Sequence, residues 1–168
     1  MEKTLKVINR MEADGVIGRY AIGGAVAAIF YVEPFTTYDL AIFFAVEETG
    51  GLISLTPIYE YLARKGYESE DEAINVEGWP VKFLPTYNPL VAEAVEQAAE
   101  IKFKRTRTRV MSAEHLVAIM LQTGRSKDYS RAAKFLDEGV VDVARLNDIL
   151  SRHGLTEKWR EFADRFDL

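Results

Sequence analysis

The chain has 168 residues, a formal net charge of −5 and no cysteine, which excludes disulfides, thiolate metal sites and cysteine nucleophiles. With 48% apolar and 28% charged residues it reads as one ordinary globular domain, or a core with a helical extension. Its two histidines, His115 and His153, stand too far apart in sequence to suggest zinc.

The N-terminal stretch MEKTLKVINRMEADG is amphipathic and charged, unlike a signal peptide. No apolar run approaches the roughly 20 residues needed to cross a bilayer, so no membrane contact is expected and a cytoplasmic location is. Leu5, Ile8 and Met11 recur at helical spacing, and Asp14-Gly15 ends that first helix. Arg19 to Ile22 is a predicted short strand. Gly23-Gly24 follows, then a helix of small residues from Ala25 to Tyr31, which ends before Glu33-Pro34. Tyr38 to Val46 is mostly apolar without strict alternation, as in a buried strand. Thr56-Pro57 offers an N-cap with proline at the first helical position, and Gly66 closes that helix.

Ala73 to Val76 and Pro80 to Leu84 are predicted strands of a hairpin turning at Glu77-Gly78-Trp79. Asn88-Pro89 opens a helix that runs to about Ala99. A basic strand at 101–110 comes next, with five basic residues and no acid. From Ser112 onward the pattern is helical: 113–123, 127–137, 142–152 and 156–166, broken at Thr123-Gly124, Glu138-Gly139 and His153-Gly154. The expected organisation is an α/β core over 1–111 and a helical subdomain over 112–168 packed on it.

A strand, two glycines and a helix can hold phosphate: the first helical N–H groups lack intrahelical partners, and glycine lets the backbone approach an anion. Such a turn also serves close packing. Ile22-Gly23-Gly24 is followed, after fourteen residues, by Asp39 within Thr37-Tyr38-Asp39-Leu40-Ala41-Ile42. This order resembles the nucleotidyltransferase superfamily, the polymerase-β-like fold. The segments EGWPVKFLP (77–85), SAEHLVAIMLQTGRSKD (112–128) and YSRAAKFLDEG (129–139) extend the resemblance to a branch related to abortive-infection nucleotidyltransferase toxins. It covers roughly residues 5 to 155, and it implies an α+β fold: a mixed sheet flanked by helices, then a C-terminal helical bundle.

What the resemblance implies for chemistry is a magnesium site on the triphosphate of ATP or another NTP. Carboxylates at i and i+2 of a strand, with a third on a neighbouring strand, hold two ions that activate the attacking hydroxyl and steady the pyrophosphate. Gly23, Gly24 and Asp39 match this pattern, with Thr37 beside them in a nucleotide-binding role and Asp39 as catalytic metal ligand. Ala41 stands at the second carboxylate position and Lys82 at the third; Phe35 replaces an arginine often found before the Thr-x-Asp motif. Glu33, Glu47, Glu77 and Asp128 are candidate substitutes, and Lys82 is placed to pair with Asp39 instead of a metal.

Arg125, Lys127, Asp128 and Arg131 gather at a helix start. They read either as phosphate contacts, through Lys127 or Arg131 oriented by Asp128, or as ordinary helix pairs such as Asp128 with Arg131. The basic strand reads as an RNA or phosphate surface through 102–109, or as a charged edge that blocks sheet-to-sheet association. His115 is expected in the core or at its boundary, and His153 at a helix C-terminus. Two functions follow. One is a nucleotidyltransferase-like protein with catalysis lost or much reduced, binding a nucleotide or a protein partner. The other is an active magnesium enzyme that moves NMP onto a protein or RNA hydroxyl, related to toxin–antitoxin pairs.

Overall fold

The computed structural model describes residues 1–33, 36–46 and 52–168. Pro34, Phe35 and Glu47 lie outside the described residues, and with them the expectations for the missing arginine and for Glu47 as a substitute acid. The elements run α1 (Glu2–Ala13), β1 (Tyr20–Gly23), α2 (Gly24–Ala28), β2 (Leu40–Phe44), α3 (Thr56–Arg64), β3 (Ser69–Glu70), β4 (Ala73–Val76) and β5 (Trp79–Pro85). They continue with α4 (Pro89–Glu96), β6 (Ala99–Phe103), β7 (Thr106–Val110), α5 (Ala113–Thr123), α6 (Ser126–Asp137), α7 (Val143–Arg152) and α8 (Thr156–Phe166).

The seven strands form one sheet in the order β3-β4-β5-β2-β1-β7-β6. β1 pairs parallel with β7 and β2 with β5; the remaining neighbours are antiparallel. The mixed sheet with flanking helices is the expected fold class. Its register runs unbroken through the middle. Ile74 faces Val81, Val81 lies beside Leu40, Ile42 faces Ile22, and Ile22 lies beside Val110. These buried side chains share one side of the sheet. α1 lies over that side: Thr4 Oγ1 donates to the Val76 carbonyl at 3.0 Å, and Tyr20 Oη to Asn9 Oδ1 at 2.6 Å. Gly23, Ala41 and Lys82 form a cross-strand row on the opposite side. α5 packs against α2, α4, α6, α7 and α8, so the helical third shares the core of the sheet.

Several boundaries move. Tyr38 and Asp39 precede β2 instead of lying within it, and Tyr38 is exposed. α3 starts one residue early, with Leu55 at the cap, so the Thr56 hydroxyl caps nothing. Asn88 does cap α4, accepting from the Val91 N–H at 2.9 Å, but the helix ends at Glu96. The largest correction is the basic segment. It is not one strand but a hairpin, β6–β7, turning at Lys104-Arg105, where Lys104 takes a φ of 54°. Left-handed backbone at a lysine carries no glycine or asparagine signal in the sequence. The C-terminal helices lie within a residue of expectation, because Gly124, Gly139 and Gly154 end them with positive φ. Among the described residues no helix is long and apolar enough to cross a membrane.

Candidate functional site

The site forms where β1 turns into α2. Gly23 caps α2 in extended conformation, and Gly24 opens the helix with a φ of 61°. Both glycines have structural reasons to be there. A Cβ on Gly23 would stand 2.5 Å from the Phe43 ring and 3.1 Å from the Met111 sulfur. A Cβ on Gly24 would meet the Ala41 Cβ at 3.3 Å, so Ala41 points straight at the glycine turn. Asp39, two residues before Ala41, stands on the approach to the same side. There Lys82 Nζ lies 3.0 Å from Asp39 Oδ2 and 3.6 Å from Glu72 Oε2. The Asp39 and Lys82 side chains are each 37% exposed, so the pair sits at the rim of the site, in contact with water. Hydrogen bonding to Asp39, reinforced by its charge and that of Glu72, raises the Lys82 pKa above the ordinary lysine value.

Thr37 belongs to this site through its backbone role: its hydroxyl donates to the Asp39 carbonyl at 3.1 Å and ties down the chain before β2. The other expected groups sit on α6, after α2 and in the β4–β5 turn. Asp128, nearly buried, accepts from Arg125 Nε at 2.7 Å within the first turn of α6, so its partner is Arg125 rather than Arg131. Lys127 is exposed on that helix and Arg131 is half-buried. Of the substitute acids, Glu33 pairs with Lys134 at 3.6 Å, and Glu77, at φ 53° in its turn, accepts from Tyr67 Oη at 2.7 Å. The acid that does approach Asp39 through Lys82 is Glu72, which the sequence reading missed. Its position follows from β3, a two-residue strand too short to show any alternation.

A second cluster holds the helical third in place. Glu93 on α4 accepts from Arg152 through both oxygens, at 2.7 and 2.9 Å. It also meets His115 Nε2 at 3.0 Å and His153 Nε2 at 2.8 Å. Arg152, then the two imidazoles, hold the Glu93 carboxyl well below the usual carboxylate range, against the opposing effect of burial. Burial pushes the His115 imidazole below its ordinary value, more than Glu93 raises it. A neutral His115 then donates Nε2–H to Glu93 and accepts the Ser112 hydroxyl at Nδ1, 2.7 Å away. Serine, histidine and glutamate in a row suggest a nucleophile. However, the ring is fully buried and Ser112 Oγ already caps α5, so the cluster serves packing. His153 is both the α7 cap residue and a Glu93 partner.

A groove of about 560 Å³, lined by Arg19, Thr86, Tyr87, Asn88 and Glu96 among others, lies at the far ends of β2 and β5 from Asp39.

A mixed sheet carrying strand, paired glycines and short helix, with Asp39 entering the neighbouring strand, defines a nucleotidyltransferase-like fold. Solved structures agree. An antigenic nucleotidyltransferase-like protein from Paracoccidioides brasiliensis superposes with a TM-score of 0.59 at 12% identity, covering 98% of this chain and 90% of that one. ANT(2")-Ia, in complex with adenylyl-2"-tobramycin, gives a TM-score of 0.51 at 13% identity, covering 92% of this chain and 98% of that one. No family model matches the sequence. No curated protein sequence matches it either.

Proposed function

We propose that this protein is a nucleotidyltransferase-fold binder that has given up metal-dependent transfer and takes a nucleotide at the glycine turn without magnesium. The observation that carries the reading is the ammonium of Lys82, 3.0 Å from Asp39, on the strand position beside Ala41. Divalent magnesium needs several oxygen ligands in near-octahedral order. Here the strand positions supply one carboxylate, a methyl group and a cation that repels another cation, and the further acid nearby, Glu72, is turned to that cation. Among the described residues no group of three or more His, Asp or Glu side chains comes together as a metal site. The residues present therefore do not fit the ions that the fold resemblance implies, and no transfer step is derived through them.

Lys82 supplies an ammonium at the rim that a phosphate would take over from Asp39 and Glu72, and the glycine turn supplies backbone room for it. A protein partner, as the resemblance to toxin–antitoxin pairs suggests, would reach the site past exposed Tyr38. The test is isothermal titration with ATP, with and without magnesium, beside an assay for transfer of labelled NMP. Binding that is equal with and without the metal, and absent transfer, is the expected result. Magnesium-dependent binding or any transfer abolished by Asp39→Asn would overturn the proposal and restore the enzyme reading. A double variant, Ala41→Asp with Lys82→Asp, supplies the two missing acids. Its melting temperature should fall without metal, as like charges crowd together, and recover with magnesium and ATP.

A further inference from the structure

The two edges of the sheet carry opposite charge. At one edge, β3 and its turn expose Glu68, Glu70, Asp71 and Glu72. At the other, β6 and its turn expose Lys102, Lys104 and Arg105, with Arg107 on β7 opposite Lys102. Apart from the Glu72–Lys82 contact, none of these side chains forms an ion pair among the described residues; β6 also exposes Glu100 in the row of Lys102, where Arg109 opposite it offers Nε at 4.0 Å. Both hairpins turn through two residues, Asp71-Glu72 and Lys104-Arg105, the first of each at a φ near +50° (52° and 54°).

The register puts both charged rows on one side. Ser69 pairs with Ile74, which faces Val81, so Ser69 belongs to the apolar side and Glu68 and Glu70 to the side of Lys82. Val110 lies beside Ile22 on the apolar side, so Arg107 and its partner Lys102 fall on the side of Gly23 and Ala41. Following the pairings strand by strand, β3 and β6 also run in the same direction. A second copy set beside the first in the same orientation therefore brings β3 against β6 as a parallel pair. The acidic and basic rows then lie on a common face.

We propose that a second copy of this chain is the partner of the basic hairpin, joined head to tail through its acidic β3 edge. Edge protection alone accounts for Lys102, because a charged edge repels its own kind. It does not account for Arg107, which sits on an inner strand directly opposite Lys102, where like charges destabilise the pair. Net charge sets like edges against each other, and the crossed contact joins opposite rows. This favours an open, heterologous assembly, whose strength falls with salt, over a two-fold dimer through either edge.

Sedimentation velocity on the full chain tests this. At about 20 mM salt the average mass should climb with protein concentration, and at about 0.5 M it should return to the monomer. Lys102→Glu with Arg107→Glu reverses the basic row on β6 and β7; Glu68→Lys with Glu70→Lys reverses the acidic row beside β3. Each variant alone should stay monomeric, and an equimolar mixture should associate again. Single neutral changes, Lys102→Gln and Glu70→Gln, give a graded weakening if a reversed variant fails to fold. A native protein that stays monomeric at low salt, a variant that associates as the native chain does, or a mixture that stays monomeric overturns the proposal. So does a native monomer whose hairpin instead binds a labelled single-stranded oligonucleotide and loses it on charge reversal, since the surface would then serve a nucleic acid.

Discussion

Single residues decide what the glycine turn can tolerate. Gly23 has a φ of −122°, which any residue adopts, so its constraint is space alone: an added Cβ would lie 2.5 Å from the Phe43 ring. Phe43 is buried in β2 and its ring is rigid, so relief requires the strands to shift. Gly24 differs. Its positive φ strains an L side chain, but the nearest obstacle is a methyl group at 3.3 Å. Gly23→Ala should therefore cost about 2–3 kcal/mol by overpacking. Gly24→Ala should cost about 1 kcal/mol, mainly from backbone strain. Urea denaturation of both variants checks the order; an equal or reversed loss would mean that the turn is not packed as described. At this scale the sequence showed the pair of glycines and the lone acid, and also Lys82 as a partner for Asp39. It did not show that packing is enough to explain Gly23, because the Phe43 contact depends on strand register.

At the scale of elements, the helices were legible and the edges of the sheet were not. Gly124, Gly139 and Gly154 punctuate amphipathic runs, and tertiary contacts have nothing to overrule there. β3 and the β6–β7 turn depend on left-handed Asp71 and Lys104; Asp71 is followed by glutamate instead of the glycine that would complete a hairpin signal, and a lysine marks no turn. One continuous strand would set Arg107 and Lys102 on opposite faces, whereas the hairpin puts Arg107 with Lys102 and buries Thr106 and Thr108. The joint between elements that matters most is Glu93, which ties α4 to α5 through His115 and to the end of α7 through Arg152 and His153. Glu93→Gln keeps the shape and loses the charge, and should cost about 2 kcal/mol at neutral pH. The acid dependence follows from sign. The folded Glu93 pKa is lowered, so its contribution is full above the ordinary unfolded carboxyl value of about 4.3 and is lost as pH falls through the folded value. The lowered His115 pKa acts in the same direction from about pH 6.5 downward, because the unfolded chain takes up the proton more readily. Native stability should thus decline with acid in two stages, and the gap to Glu93→Gln should narrow in the lower one. A gap that stays constant between neutral pH and about pH 3 would show that the Glu93 charge is not what holds these helices.

For the whole molecule, the question is whether the sheet and the C-terminal helices are one folding unit. The sequence suggested a boundary at 111/112 from a change of pattern, and a change of pattern says nothing of shared burial. In the structure the boundary runs through the core. Met111 is fully buried beneath Gly23 and its carbonyl accepts from Tyr31 Oη at 2.8 Å, while the Tyr31 ring meets Phe135 of α6 at a tilt. Leu116, Val117, Ala118 and Leu121 of α5 are buried in the same cluster as Ile22, Val26 and Val91. Exposing that much apolar surface on either part would remove most of its stabilisation, so neither should persist while the other melts. The two tryptophans report on the two parts separately: Trp79 begins β5, and Trp159 lies in α8 against Phe162. Trp159→Phe leaves a sheet probe, and Trp79→Phe leaves a helix probe. Each single-tryptophan protein should unfold in urea with one transition, and its fluorescence and far-ultraviolet circular dichroism should coincide. A Trp159 signal that is lost before helicity and the Trp79 signal would mean that the helices come away first. The chain would then be two units meeting at Met111, not one core.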